Sequence, residues 1–347
     1  AGGPAVANTD GTINSQVSAN NSLGFSIATY TGNSTNGATI GHGLDSAPEM
    51  IIVKSLNTIG GSSKAWTVYV EPLGNTKNLY LNSTNSASVY NFWGNTSPTS
   101  SVLSLSSDTN VNSSVGNYVA YSFTSKPGFS KVGSYTGNGS SSGPMVQTGF
   151  QPAFVMIKAS SAAGSWNIVD DKRDTTNPAT KRLFANLANA EGTGINVLDF
   201  YANGFQIKNN DAGFNSNGVT YIYLAFAADG STATPSLANS FAPEIYTGNG
   251  GTQAITGTGF KPDFVWIKKR SGAQVHNLYD SVRGINKVLY SDLTNAQATV
   301  TSISSFDTNG FTLANGGGDT NASGSTYVSW NWKAGGTPSI NTDGTTT

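Results

Sequence analysis

The stretch Gly133-Ser134-Tyr135-Thr136-Gly137-Asn138, followed by Thr148-Gly149-Phe150-Gln151-Pro152-Ala153-Phe154-Val155-Met156-Ile157-Lys158, decides the architecture because the chain spells it three times. The Tyr-Thr-Gly-Asn tetrad stands at Tyr30–Asn33, Tyr135–Asn138 and Tyr246–Asn249. The hydrophobic runs closed by lysine are Met50–Lys54, Phe154–Lys158 and Phe264–Lys268. Successive copies lie a little over a hundred residues apart, which is the size of an independent domain and far longer than a solenoid repeat. Three tandem modules are therefore expected rather than one large fold.

Each run is short, rich in β-branched and aromatic residues, and preceded by Pro48, Pro152 or Pro262, so it reads as a buried central strand. The alternation in Trp66–Val70, Trp166–Asp170 and His276–Asp280 reads as a half-buried second strand. A third follows at Asn78–Leu81, Arg182–Ala185 and Val288–Ser291. Asn203-Gly204 and Asn309-Gly310 read as hairpin turns whose two residues both tolerate positive φ. The first module has Ser106–Asn110 there instead, which predicts a shorter or differently registered hairpin. Aromatic strands close the modules at Tyr118–Phe123, Tyr221–Phe226 and Tyr327–Trp332. Only Leu183–Ala190 approaches a helical pattern. The fold class expected is all-β, with three β-sandwich modules at residues 24–127, 128–235 and 236–336. Residues 1–23 read as an N-terminal arm or linker and 337–347 as a C-terminal tail or linker. The connection Ser231–Ser240 is expected to allow more freedom than the short one at Thr124–Gly128.

Composition restricts function. Of 347 residues, 18 are Lys or Arg and 19 Asp or Glu, for a net charge of −1. No basic field exists to hold nucleic acid, and no apolar stretch is long enough to span a bilayer. Without cysteine there is no thiol nucleophile, disulfide or thiolate metal site. The internal repeat also weighs candidate chemistry. His42 aligns with Thr148 and Thr258, and His276 with Trp66 and Trp166, so both histidines read as packing residues rather than catalysts or metal ligands. The run Asp170-Asp171-Lys172-Arg173-Asp174 reads as a solvated, self-paired loop rather than a glycosidase acid pair or calcium loop. No catalytic, cofactor or metal residue is assigned, and no cofactor is expected. Most tryptophans fall on strands as core residues. Trp93, in Asn91-Phe92-Trp93-Gly94, is the one candidate ligand-binding residue, since an aromatic face pairs with the apolar face of a pyranose.

The repeated phrases, together with Leu183–Asn186, Ala202–Phe205 and Asn321–Val328, resemble a domain of undefined function repeated in virion and tail proteins of marine bacteriophages. The resemblance runs from Gly24 to Gly336. It implies a lectin-like or jelly-roll sandwich in a tail fibre, appendage or capsid decoration, located in the extracellular virion. A non-enzymatic virion structural protein is expected, with a host-surface glycan or another virion protein as partner and multivalent, homo-oligomeric attachment. The alternative is a head-to-tail filament or cell-surface array protein. It is suggested by the ends, where Ala1-Gly2-Gly3 recurs as Ala334-Gly335-Gly336 and Asn8–Thr12 as Asn341–Thr345 at one common offset. A glycan-degrading enzyme is the third and weakest reading, because no carboxylate pair has a supporting set.

Overall fold

In a computed structural model, the described residues are 5–227, 240–314 and 317–334. The protein is all-β, and a single 3-10 turn at Glu71–Leu73 is the only helical element among the described residues. Each repeat builds a main antiparallel sheet in one order. In the first, Phe25–Thr31 pairs with Asn117–Phe123, then Met50–Ser55, Thr67–Val70 and Lys77–Tyr80 follow. In the second the order is Ser130–Thr136, Thr220–Ala227, Pro152–Ala159, Asn167–Asp170, Leu183–Phe184. In the third it is Phe241–Thr247, Thr326–Trp332, Phe264–Lys269, Asn277–Asp280.

The lysine-closed runs lie inside these sheets and are unbroken hydrophobic runs because both faces are covered. Alternate residues enter different cores. Val155 and Ile157 pack under a small outer sheet of the second repeat, whereas Phe154 and Met156 face inward. Ile51 and Val53 in the first repeat and Val265 and Ile267 in the third likewise face outer cores of their own.

The inward residues of all three repeats meet in one shared cluster, which includes Phe25, Trp66, Phe154, Trp166, Phe264 and Trp332. Tandem modules each burying a core were expected; besides the outer core of each repeat, the chain has a fourth core to which all three repeats contribute. An apolar cavity of about 20 Å³ is lined by side chains of all three repeats, among them Ile52, Met156, Leu224 and Trp266.

Equivalent hydrogen bonds close the repeats into a ring. Trp166 donates Nε1–H to the Tyr80 carbonyl at 3.0 Å, His276 Nε2 bonds the Phe184 carbonyl at 2.8 Å, and Trp66 donates to the Tyr290 carbonyl at 3.0 Å. Tyr80, Phe184 and Tyr290 hold the same place in their repeats, so the second repeat bonds the first, the third bonds the second and the first bonds the third. The backbone repeats the pattern: Ala87 N–H donates to Ser160 O, Glu191 to Arg270 O and Gln297 to Leu56 O.

Several expectations need correction. The segment read as an arm or linker contains the strands Val6–Asn8 and Ser15–Asn20, which extend the first main sheet beyond Phe25–Thr31. The weak helical pattern at Leu183–Ala190 yields the short strand Leu183–Phe184 and a turn, because Leu183 is drawn into the shared core. At both Asn-Gly sites the hairpin exists, but its two-residue loops are Ala202-Asn203 and Thr308-Asn309, and each glycine begins the next strand. Gly204 and Gly310 hold the positive φ, 153° and 139°, while their asparagines do not, and a Cβ there would also stand 2.0 Å from Val146 O or 1.9 Å from Ile255 O, so each glycine additionally admits a neighbouring strand. In the first repeat this hairpin is missing, and Val102–Leu105 pairs only with Ala38–Gly41. Most of the connection Ser231–Ser240 and all of the tail 337–347 lie outside the described residues.

Candidate functional site at the corners between repeats

The tetrads are local clamps. Tyr30, Tyr135 and Tyr246 stack on Tyr118, Tyr221 and Tyr327 with centroids 5.1, 5.1 and 5.2 Å apart. Their hydroxyls donate to the carbonyls of Val111, Phe214 and Thr320. Burial pushes the phenols of all three tetrad tyrosines up. The tetrad glycine lets backbones touch, since a Cβ on Gly32, Gly137 or Gly248 would stand 2.2–2.4 Å from the carbonyl oxygen of Ser113, Ser216 or Ala322. The tetrad asparagines donate backbone N–H to the Oδ1 atoms of Asn112, Asn215 and Asn321, three buried residues whose role the sequence did not reveal.

The lysines that close the hydrophobic runs staple the ring. Lys54, Lys158 and Lys268 are buried, and each Nζ donates to a carbonyl of the adjoining repeat: Thr294 at 2.8 Å, Thr84 at 3.3 Å and Ala188 at 3.2 Å. Lys54 also bonds the Lys64 carbonyl, Lys158 its neighbour Ala159 and Lys268 its neighbour Lys269. Burial lowers each of the three to about 8.

Both histidines are enclosed. His42 accepts the Leu44 N–H on Nδ1 and bonds the Thr99 carbonyl through Nε2, and burial lowers it to about 4. His276 accepts the Trp266 indole N–H on Nδ1 and is lowered to about 3, chiefly by burial. The acidic run is self-paired, as read, but Asp170 and Arg173 are buried rather than solvated. Arg173 Nε lies 2.6 Å from Asp170 Oδ2, the same oxygen accepts the Trp330 indole N–H at 2.9 Å, and Arg173 also reaches Glu191. These groups lock the second repeat to the third. Asp171, next in the run, is raised to about 6 chiefly by burial, with Asp170 adding. Among the described residues no group of three His, Asp or Glu converges as metal ligands.

Trp93 does not present a face to ligand. It is 1 % exposed and packs edge-on to Tyr69 in the outer core of the first repeat. Three residues earlier, Tyr90 is 49 % exposed. Its ring lies 4.5 Å from that of Phe92, and its hydroxyl donates to Asp108 Oδ2 at 2.8 Å, which raises the phenol above its ordinary value. Asp108 is itself fixed, because Oδ1 accepts from both the backbone N–H and the side-chain Nδ2 of Asn110 at 2.7 and 2.8 Å. The half-buried Tyr80 has its phenol raised by burial and, to a lesser degree, by Asp108.

This constellation sits at a junction, since the Tyr80 carbonyl receives Trp166. The equivalent corners carry Phe184 beneath Arg182, 5.2 Å from ring centroid to guanidinium carbon, and Tyr290, whose phenol is raised by burial and by Asp319. Each corner thus offers a half-buried aromatic ring with a carboxylate nearby. The signal for Tyr90 was present in the sequence, in the same loop as Trp93, but alternation cannot say which aromatic of a loop turns inward.

No curated protein matches the chain. A family model matches residues 1–229 and 237–347, and the chain therefore belongs to the family described as domain of unknown function (DUF7483).

Proposed function

We propose that the chain is a non-enzymatic structural protein of a phage virion, in a tail fibre, appendage or capsid decoration, that attaches to a host-surface glycan or to another virion protein. The observation that carries the binding part is the set of corners, where a half-buried ring recurs at the same place in each repeat and, in the first, stands beside the acid Asp108 and the exposed ring of Tyr90. An aromatic face takes the apolar face of a sugar while carboxylates and amides take its hydroxyls. Several copies of such a corner in one particle turn weak contacts into firm attachment by raising the effective concentration. Buried histidines, lysines and the Asp170–Arg173 pair all serve packing, which supports a role without chemistry. The test pairs glycan arrays and host-cell binding, for the wild type and Tyr90→Ala, with a protein inventory of purified virions. Blank arrays, no cell binding and absence from virions together sink the proposal.

A second reading is a head-to-tail filament or surface array, favoured by the matched ends. In the first copy of the motif, Thr12 and Thr39 each donate a backbone N–H to the other's hydroxyl, and Asn8 Oδ1 lies 1.7 Å from where a Cβ on Gly41 would be. The motif is thus a specific docking element for the strand Ala38–Gly41. If its second copy docks on another chain, deletion of residues 334–347 abolishes concentration-dependent self-association in sedimentation velocity; a wild type that stays monomeric at every concentration removes this reading.

A further inference from the structure

Comparison of the repeats within the chain shows one corner furnished and another lacking a part. In the second repeat Asp211 corresponds to Asp108: Asp211 O accepts from Asn215 N and Asp108 O from Asn112 N, and in both the Oδ1 atom accepts a backbone N–H two residues on. Phe184 corresponds to Tyr80. The Arg182 guanidinium lies over Phe184 and 6.0 Å from the centroid of Phe214, and its NH1 is 3.7 Å from Asp211 Oδ2. An organic cation of the chain itself thus fills the space between ring and acid. In the first repeat the residue at the position of Arg182 is Asn78. The aromatic and the acid remain, Tyr90 adds a second and more exposed ring, and among the described residues no lysine or arginine pairs with Asp108. In the third repeat Gly317 stands at the acid's position, and Asp319 is taken by Gln274 Nε2.

We propose that the corner of Tyr80, Tyr90 and Asp108 binds an organic cation supplied from outside, the free amine of an amino sugar in a surface glycan. The glycan as source rests on the function proposed above; the cation rests on the comparison of corners alone. A cation is drawn to the face of an aromatic ring and to a carboxylate that lacks a counter-ion. Tyr90 is held by Phe92 and Asp108, and Asp108 by Asn110, so little ordering remains to oppose binding. The pyranose carrying the amine lays its apolar face on the open side of Tyr90, while Asp108 Oδ2, which among the described residues accepts only the Tyr90 hydroxyl, receives the ammonium.

Isothermal titration calorimetry of the full chain with a glucosamine tetrasaccharide and its fully N-acetylated counterpart tests this. The expected result is one amine-dependent site per chain, at least tenfold weaker binding of the N-acetylated sugar, and weakening by salt. Asp108→Asn and Tyr90→Ala are each expected to cost tenfold or more in affinity with an unchanged melting temperature. Arg182→Ala, which empties the second corner, is expected to raise the count of sites from one to two. Equal affinity for the two sugars, undiminished binding in Asp108→Asn, or a single site persisting in Arg182→Ala overturns the inference. Equal affinity leaves the glycan reading standing. Binding of lysine amide with no binding of either sugar keeps the cation corner and removes the glycan as its source.

Discussion

A tryptophan and a tyrosine three residues apart, Trp93 and Tyr90, show how little a residue type says about its use. Both occupy a polar loop without regular alternation, yet Trp93 fills the outer core and Tyr90 faces solvent. Trp93→Ala is expected to cost about 3–5 kcal/mol in urea unfolding, the range for emptying a buried aromatic site; a loss below about 1 kcal/mol would place the ring at the surface. Gly137 makes the opposite point, because its necessity is written in the tetrad but its reason is not. A methyl group there would meet the Ser216 carbonyl oxygen, a backbone atom that cannot swing aside. Gly137→Ala is expected to destabilise by about 2 kcal/mol or more, measured in the same titration, and an unchanged midpoint would show that the clamp yields.

Strands meet across repeats through matched pairs. The closing strands place Tyr121, Leu224 and Trp330 at one equivalent position, and Tyr121 and Trp330 meet Asp280 and Asp170 of the adjoining repeat. Tyr121 donates to Asp280 Oδ2 at 2.8 Å and Trp330 to Asp170, whereas Leu224 and Val70 join the shared apolar core. Each of the two donors meets an acceptor of one particular neighbour, so the two polar pairs help specify which repeat abuts which. Asp170→Val alone leaves the Arg173 guanidinium with a buried charge less well paired and is expected to cost about 3–5 kcal/mol. Adding Trp330→Leu is expected to cost less than the sum of the single changes by at least about 1 kcal/mol. Strict additivity in that double-mutant cycle would deny the pairing. The element order was legible from the repeated phrases because hydrophobic period and turn residues are local. The matching of Asp170 to Trp330 was not, since its partners lie far apart in sequence and only two of three repeats use it.

At the scale of the whole molecule the shared core makes the three repeats interdependent. A single calorimetric transition, with van't Hoff and calorimetric enthalpies agreeing, is expected; three resolved transitions would mean that the repeats unfold as separate bodies. The staple lysines give this ring a pH dependence. Each is lowered to about 8 when folded against an ordinary 10.5, so between these values the unfolded chain binds protons that the folded chain has released, and stability rises with pH. Buried tyrosines such as Tyr121, raised well above 10, reverse the trend at higher pH, because the unfolded chain then loses protons first. From pH 7.5 to 9.5 the melting temperature is expected to rise by about 5 °C. Replacing Lys54, Lys158 and Lys268 together by Met should flatten that rise, and a wild type that melts lower at pH 9.5 contradicts the assignment. On the acid side Asp171 and Asp263, each raised to about 6, favour the folded state as pH falls from 6 toward 4, while His42 and His276 oppose it, so that range is expected to be nearly flat.

The all-β class, the repetition and the central strands are legible in the residues alone, because periodicity, turn chemistry and internal alignment are properties of neighbouring residues, and the same alignment pointed both histidines toward packing. It even marked the closing lysines without explaining them. That the repeats share a fourth core, that those lysines reach across to the next repeat and that Tyr90 rather than Trp93 faces solvent emerged from the packing in space. Each depends on which surface meets which across hundreds of residues of chain. The free energy of burying a face or satisfying a buried ammonium is set by its partner in space, and nothing in the local pattern names that partner.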